Sequence, residues 1–323
     1  MKLEELSFVN GLLFINIHTR KIFRFENVLI VLSILFKFSQ SDNALQCSQE
    51  DFNLENYPAC LPENSCILRN LNTSNVYAID RTIHEFKCLI FVDSFIPEIP
   101  SNIFMTLKSN ISHLYANNVN ISELRRISFP FAQKLKCVDL SWNLIQNLNE
   151  MIFYDAPNLV SLNLSHNSIA EFSSNVFDKL DSLQVLDMSY NQITTIPFDL
   201  FLPLDNLVEL NLRYNRLQLK FGIFPENLHS LDLSYNNLEI QQKFKIFSLL
   251  QNLILLLLHG NRIESIHQSI FNSHLRFLGL SENLFSCTIL ADIILAMQTH
   301  NIVPLVENSV KHTSNIYGIK CIE

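Results

Sequence analysis

Residues 159–169 read LVSLNLSHNSI, and residues 183–193 read LQVLDMSYNQI. Two later stretches, LVELNLRYNRL at 207–217 and LHSLDLSYNNL at 228–238, repeat the same spacing of Leu and Asn. The shared pattern is L-x-x-L-x-L-x-x-N-x-L, and copies in phase at intervals of 21 to 25 residues indicate a repeat architecture. The nine copies open at Phe86, Ile111, Leu135, Leu159, Leu183, Leu207, Leu228, Leu253 and Leu275.

Each position of the pattern has a physical reason. The L-x-L core alternates apolar and polar residues with a period of two, which predicts a short strand with one buried face. Asn at the ninth position, present in seven of the nine copies, can hydrogen-bond backbone groups that the turn would otherwise leave unpaired. The first two copies have Ser94 and Val119 there, so we expect a less regular start.

A phenylalanine stands eighteen residues after most of the opening positions, which accounts for part of the high count of 25 Phe. We expect these rings to stack as a buried row on the convex side, where each can bury well over about 100 Å². Because one repeat cannot bury its own apolar face, both ends need caps. The predicted row is Phe104, Phe129, Phe153, Phe177, Phe201 and Phe271, with Phe247 one residue late.

The first 41 residues predict a cleaved secretory leader. Basic Arg20, Lys21 and Arg24 precede the apolar run 28–36, and a polar stretch follows Ser41. That run is too short to span a membrane, although the neighbouring apolar residues leave a signal anchor as the alternative.

The net charge disfavours two classes of ligand. Residues 1–41 contain five basic and three acidic side chains, so their removal changes the formal charge from −8 to −10. An acidic chain without a basic patch is repelled by nucleic acid and by anionic membrane surfaces. We therefore predict no nucleic-acid ligand and no membrane insertion.

All seven cysteines follow the leader, and in an oxidising compartment this predicts disulfides. The four early cysteines allow three connectivities, and the sequence does not choose among them. Cys137 is left as a buried thiol, a free surface thiol or half of an intermolecular bridge. A bond from it to Cys88 is disfavoured, because two strand spacings of about 5 Å separate the two positions. The early group is Cys47, Cys60, Cys66 and Cys88.

From Phe86 onward the chain resembles the typical extracellular leucine-rich-repeat family, the class of Toll-receptor ectodomains and secreted immune proteins. CILRNLNTSNVYAID at 66–80 followed by CLIFVDSFIPEIPSNIF at 88–104 is similar to the amino-terminal cap and first repeat of insect secreted members. LSENLFSC at 280–287, TILADIILAMQTHNI and IYGIKC are similar to the carboxy-terminal cap of the insect leucine-rich immune proteins. The heptad region of that subgroup has no counterpart, so its coiled-coil partnering is not carried over.

The resemblance implies an α/β solenoid, a leucine-rich-repeat horseshoe with a parallel concave sheet, about nine repeats and disulfide-stapled caps at both ends. We divide the chain into a leader (1–41), an amino-terminal cysteine cap (42–85), leucine-rich repeats (86–286) and a carboxy-terminal cap (287–323). In the last segment we pair Cys287 with Cys321. One face of a helix should cover the last repeat there, with the apolar residues Ile289, Leu290, Ile293, Ile294 and Met297.

The strand residues between the leucines should point to the concave face, the default binding surface of a solenoid. Its middle combines Asp and Asn with a stripe of Trp, His and Tyr, a mixture suited to a protein interface. The alternative is that the aspartates only tie adjacent strands. The candidate residues are Trp142, His166, Asp187, Tyr190, Asn211, Tyr214, Asp232 and Tyr235.

Three apolar residues depart from the usual repeat on the same face: Leu255, Leu257 and Phe277. Soluble proteins seldom leave such a cluster bare, so we predict a partner or self-association site. The alternative is that the carboxy-terminal tail folds over it.

Four Asn-x-Ser/Thr acceptors predict N-glycosylation, at Asn72, Asn110, Asn120 and Asn163. A glycan on Asn163 would shield the concave face beside Trp142.

The sequence favours a binding protein over an enzyme. It has no G-x-S-x-G, no H-E-x-x-H and no glycine-rich phosphate loop, and we predict no cofactor and no metal. The resemblance implies a secreted, extracellular factor of innate-immune recognition or of an immune complex, acting through the concave face on a protein or microbial-surface ligand. It could act as a homo- or hetero-oligomer. The alternative is an extracellular matrix or cell-adhesion protein.

Overall fold

A computed structural model describes residues 7–9, 12–14, 47, 57, 60–75, 83, 85–104, 109–126, 128–218, 224–239, 247, 249–307 and 314–323. Strands β1 (Ser7–Val9) and β2 (Leu12–Phe14) form an antiparallel pair. The rest of the predicted leader lies outside these residues. Within the described ranges, no helix combines the length and the apolar character needed to cross a bilayer.

One sheet of eleven parallel strands organises the molecule, and its order follows the chain. Nine of the strands come from the nine predicted copies, and one strand is added at each end. This confirms the predicted parallel solenoid of about nine turns. The strands are β3 (Ser65–Arg69), β4 (Cys88–Val92), β5 (His113–Tyr115), β6 (Cys137–Asp139), β8 (Ser161–Asn163), β10 (Val185–Asp187), β11 (Glu209–Asn211), β12 (Ser230–Asp232), β13 (Leu255–Leu257), β14 (Phe277–Gly279) and β15 (Val303–Leu305).

Two further pairs lie outside this sheet. Strands β7 (Asn147–Leu148) and β9 (Glu171–Phe172) pair in parallel, and β16 (Asn315–Ile316) with β17 (Ile319–Lys320) form an antiparallel hairpin. Strand β3 lies inside the segment assigned to the amino-terminal cap (42–85), and β15 lies inside the segment assigned to the carboxy-terminal cap (287–323). The proposed segment boundaries themselves stay predictions.

The strand register places equivalent repeat positions side by side. Leu186 pairs with Leu162 on one side and with Leu210 on the other, and all three side chains are buried in the core. The third and fifth repeat positions flank this central leucine and therefore point to the opposite face of the sheet. We call that opposite surface the open face.

A ladder of asparagines holds successive repeats together. The Asn191 amide nitrogen donates to the carbonyls of Leu164 (3.0 Å), Met188 (3.1 Å) and Ser189 (3.0 Å), while its oxygen accepts from the N–H of Ile169 (2.9 Å). Each bonded group belongs to a backbone turn that is buried between two repeats. Six other residues repeat the arrangement: Asn143, Asn167, Asn215, Asn236, Asn261 and Asn283.

The phenylalanines form a buried row, with two differences from the expectation. Phe224, one residue early in a short repeat, continues the row with its ring 6.5 Å from that of Phe201. Phe271 is only half-buried and stacks against His300 of the carboxy-terminal segment at 5.8 Å, so placing it in the buried row was wrong. Ring spacings in the row range from 5.4 to 6.5 Å, over Phe104–Phe129, Phe129–Phe153, Phe177–Phe201 and Phe201–Phe224.

Disulfides close both ends of the sheet, as predicted. The structure resolves the amino-terminal connectivity as Cys47–Cys66 and Cys60–Cys88, and Cys287 is bonded to Cys321. Cys137 is a free, partly buried thiol.

Helix α1 (Cys287–Thr299) covers the last repeat. Its amino terminus is capped by Ser286, whose hydroxyl accepts from the N–H of Ile289 at 3.3 Å. The face turned to the core consists of Leu290, Ile293, Ile294 and Met297.

The carboxy-terminal edge of the sheet is strand β15, with a proline at its centre. Val303 donates its N–H inward to the carbonyl of Arg276 at 2.8 Å. Alternate residues of a strand bond to opposite neighbours, so Pro304 faces outward, where it has no N–H to donate.

Candidate functional site

Alternating Asp and Asn side chains line the middle of the open face at the fifth repeat position. The Asp187 carboxylate accepts from the N–H of Ser189 (2.8 Å) and from the Asn211 amide (3.2 Å). The other members bond to the turn after their own strand in the same way, so this row braces the sheet. The row is Asp139, Asn163, Asp187, Asn211 and Asp232.

Burial makes these carboxylates weaker acids than free aspartates. It raises the pKa of Asp139 and of Asp187, and it raises the pKa of Asp232 to about 6. Hydrogen bonds to Ser189 and Asn211 partly oppose the effect at Asp187. The intervening asparagines keep these charges two strands apart.

Five aromatic rings at the eighth repeat position stack face to face in one continuous row, which we call the ring ladder. The strands end at the fifth position, so the ladder stands on the turns that leave them, beside the open face. Neighbouring ring centres are 3.7 to 4.4 Å apart, and the ring planes lie within 23° of parallel. The members, in order, are Trp142, His166, Tyr190, Tyr214 and Tyr235.

The ladder is partly open to solvent. Trp142 is 58% exposed and Tyr190 is 41% exposed, and burial lowers the pKa of His166 below its ordinary value. Trp142 ends the ladder, because the preceding repeat has Asn118 at this position. All five members adopt a positive φ between 53° and 57°, so their side chains leave the backbone in the same local geometry. The arrangement therefore presents a prearranged aromatic edge.

Two glycines make room for rings where the repeat pattern changes. A Cβ on Gly260 would lie 2.3 Å from the Tyr235 ring, and a Cβ on Gly279 would lie 2.2 Å from His259. The buried His259 imidazole accepts from the N–H of Ser281 at 3.1 Å, and burial lowers its pKa to about 4. This histidine is therefore neutral and structural.

The amino-terminal part of the open face is covered by the chain itself. The Tyr57 ring packs edge-on against Tyr115 with ring centres 4.7 Å apart. A small apolar cluster, separate from the main core, forms there. Its buried members are Cys60, Ile67, Cys88, Ile90 and Tyr115.

At the other end, the predicted apolar cluster continues onto the last strand. Strand pairing places Phe277 between Leu255 and Val303, and it aligns Leu257 and Leu305 on either side of Gly279. Leu255, Leu257 and Phe277 are half-buried.

The predicted glycosylation acceptors differ in exposure. Asn72 and Asn110 are exposed, whereas Asn120 is half-buried. Asn163 is half-buried and its side-chain oxygen accepts from the N–H of Ser165 at 3.0 Å.

The structure brings one unpredicted pair of residues to the open face. Arg213 occupies the seventh position, where most copies have serine, and it is bonded to Glu307 from the carboxy-terminal segment. The sequence could have indicated Arg213, because it replaces the serine that most repeats have at this position. No repeat pattern in the sequence points to Glu307. Among the described residues, no group of three or more His, Cys, Asp or Glu could hold a metal ion.

Comparison with known proteins identifies the repeats. Residues 109–169 and 157–217 match one family model described as leucine rich repeat, and residues 227–253 match a second of the same description. Residues 109–217 and 227–253 therefore carry leucine-rich repeats. No curated protein matches it.

Solved leucine-rich-repeat structures share the fold at low identity. A Leptospira interrogans LRR protein is 22% identical over 69% of this chain, with a TM-score of 0.52. A chain of the Drosophila Toll–Spatzle complex is 21% identical over 69% of this chain, with a TM-score of 0.59. A chain of the octameric complex of Latrophilin 3, Unc5D and FLRT2 is 19% identical over 76% of this chain, with a TM-score of 0.58.

The lengths of these proteins differ from that of this chain. This chain covers 62% of the Leptospira protein, 32% of the Toll–Spatzle chain and 85% of the chain from the Latrophilin complex. At these identities the likeness establishes the fold alone.

Proposed function

We propose that this chain is a secreted leucine-rich-repeat protein that binds a protein or microbial-surface ligand through its open face and the adjoining ring ladder. The observation that carries the proposal is the ladder itself, five rings held parallel on the turns beside the sheet, with Trp142 and Tyr190 exposed. Tyr and Trp dominate the energetics of protein interfaces. Rings already fixed in place lose little entropy on binding.

One observation favours a location outside the cell, and a second favours an immune role. Three disulfides brace the caps, and disulfides of this kind form in oxidising compartments. The fold likeness to a chain of the Toll–Spatzle complex, described as a hub in Drosophila development and innate immunity, favours an immune recognition or immune-complex role.

The second candidate is adhesion or matrix binding. The likeness to a chain of the Latrophilin 3, Unc5D and FLRT2 complex, 85% of which this chain covers, favours it. Induction of the protein by microbial challenge, together with binding to microbial surfaces or plasma proteins, distinguishes the immune role. Binding to cells or matrix without such induction would support adhesion.

The binding proposal is tested by affinity capture of partners from the native extracellular fluid. The wild-type chain is compared with Tyr190→Ala and with the control Tyr154→Ala, an exposed tyrosine outside the ladder. We expect captured ligands to bind Tyr190→Ala at least tenfold more weakly and Tyr154→Ala unchanged. Equal binding by all three proteins would refute a role for the ladder.

We further propose that the apolar end of the open face associates with a partner or with a second copy. Leu257→Asp and Phe277→Asp place charges there, and Leu249→Asp is the control at an exposed leucine outside the sheet. We expect the first two substitutions to change the oligomeric state by light scattering or the affinity for a captured partner. If neither quantity changes, the cluster is not an interface.

Glycosylation of Asn163 would restrict the open face. Glycopeptide mass spectrometry measures its occupancy. Full occupancy would confine ligand binding to the carboxy-terminal half of the face, whereas an unmodified Asn163 leaves the middle accessible.

A further inference from the structure

A partly buried cation, Arg213, lies on the open side of the sheet. Arg213 follows β11, and its guanidinium carbon lies 4.9 Å from the Tyr214 ring centre and 4.7 Å from that of Tyr235. Its side chain is 13% exposed. Arginine stacked on aromatic faces keeps its charge and its planar fork of donors. The last rings of the ladder therefore hold this guanidinium in a fixed orientation.

The acceptor of this fork comes from a distant part of the chain. Glu307, 94 residues later in sequence, receives hydrogen bonds from both terminal nitrogens of Arg213, at 3.2 and 2.5 Å. The nearest carboxylate oxygen of Asp232 is 3.9 Å from the guanidinium, too long for a hydrogen bond. Glu307 is thus the carboxylate that satisfies these two donors.

The bonded carboxylate can leave without disturbing the sheet. Strand β15 ends at Leu305, before Glu307, and the Glu307 backbone N–H is bonded to the Ser281 hydroxyl at 3.0 Å. The Glu307 side chain is 33% exposed. Rotation about its own side-chain bonds would therefore release the carboxylate while every strand pair stays intact.

We propose that Arg213 and the tyrosine rings stacked on it form a binding site for a carboxylate, and that Glu307 occupies it in place of an Asp or Glu side chain of a protein partner. This inference rests on the proposed function, since it names what the ligand presents to the ladder. With Glu307 released, the two donors lose their carboxylate acceptor while the guanidinium stays partly buried, which is unfavourable. A planar two-oxygen group satisfies both donors at once.

The surroundings favour a carboxylate over a phosphate. Asp232 lies beside the guanidinium and supplies one negative charge already. A doubly charged phosphate would meet more repulsion there than a singly charged carboxylate. Partners bearing an exposed Asp or Glu fit the site, because Leu305 stays in its strand and only the Glu307 side chain has to move away.

The test removes the Glu307 carboxylate from the full chain by substitution and adds a carboxylate on a separate peptide. The probe is an acetylated, amidated peptide that copies residues 303–307, labelled for fluorescence anisotropy, and its Gln-ending version is the control. We expect Glu307→Ala to bind the Glu peptide at least tenfold more tightly than the wild-type chain does. The same variant should bind the Gln peptide at least tenfold more weakly than the Glu peptide. Adding Arg213→Met to Glu307→Ala should abolish this increase in affinity for the Glu peptide.

Circular dichroism establishes that each variant is folded, and Glu307→Gln, which keeps the side-chain shape, replaces Glu307→Ala if the latter unfolds. A folded variant that binds the Glu peptide no better than the wild-type chain overturns the proposal. The peptide assay is independent of the Tyr190 capture experiment. Peptide binding without any captured partner would therefore support the carboxylate site while refuting the proposed function. Captured partners that depend on Tyr190, without peptide binding to Glu307→Ala, would support the proposed function and refute the carboxylate site.

Discussion

Replacing Asn191 by Ala measures what the asparagine ladder contributes to stability. The N–H of Ile169 donates to the Asn191 side-chain oxygen, so the substitution removes the acceptor of a buried donor. Leaving such a donor unpaired lowers the free energy of unfolding by about 1–3 kcal/mol. The three carbonyls that Asn191 serves also accept from other donors, among them the Asn167 amide and the N–H of His166. Their loss therefore costs less, about 0.5 kcal/mol each. We expect a total destabilisation of about 3–4 kcal/mol.

Urea unfolding followed by circular dichroism and by the fluorescence of Trp142 tests this value. The control is Asn206→Ala, which removes one exposed hydrogen bond to the carbonyl of Asp181 and should cost less than about 1 kcal/mol. If Asn191→Ala were no more destabilising than Asn206→Ala, the ladder could not be what satisfies the buried turns.

Three further outcomes follow from the structure. Burial raises the pKa of the Asp232 carboxyl to about 6 in the folded chain, above the value of about 3.9 of a free aspartate. The folded chain therefore binds the carboxyl proton more tightly than the unfolded chain does. Ionisation of Asp232 destabilises the fold by an amount that is zero below about pH 4 and complete above about pH 6. Asp232→Asn should therefore be about 2–3 kcal/mol more stable than wild type at pH 8 and equal to it at pH 4, measured by denaturation. Gly260→Ala should lower the free energy of unfolding by about 2 kcal/mol, because φ is +60° and the added carbon meets Tyr235, whereas Lys179→Ala at an exposed position with φ +69° should change it by less than about 0.5 kcal/mol. Burial raises the pKa of Cys137 to about 11, so the thiol should react with iodoacetamide at least about tenfold more slowly than an exposed cysteine, and a disulfide-linked dimer on a non-reducing gel would contradict this.

The regular part of the fold was predictable because each repeat contains the residues that form its own strand and its bonds to the next repeat. The L-x-L core gives every strand its buried residue, as at Leu186, and the ninth-position asparagine supplies bonds to the neighbouring turn. The stacking of the ring ladder follows from the same register, since equivalent positions such as Tyr190 and Tyr214 must lie one strand spacing apart.

Features that depend on contacts between distant segments could not be predicted. The bond between Arg213 and Glu307 joins residues outside any shared pattern, and the sequence left three connectivities open for the four early cysteines. The short repeat also shifts Phe224 by one residue relative to its neighbours, so a fixed interval misses it. A repeat pattern predicts only contacts that recur in every repeat, whereas each of these contacts occurs at a single place in the structure.

The proline at the centre of β15 limits how copies of this protein can assemble. A growing β-sheet needs each exposed edge to donate as well as accept, and the outward position at Pro304 can only accept. End-to-end addition of a second solenoid through this edge, which would lead to fibres, is therefore disfavoured. Copies that associate at this end of the sheet would therefore do so through side-chain surfaces, such as the apolar end of the open face, and this limits the extent of assembly.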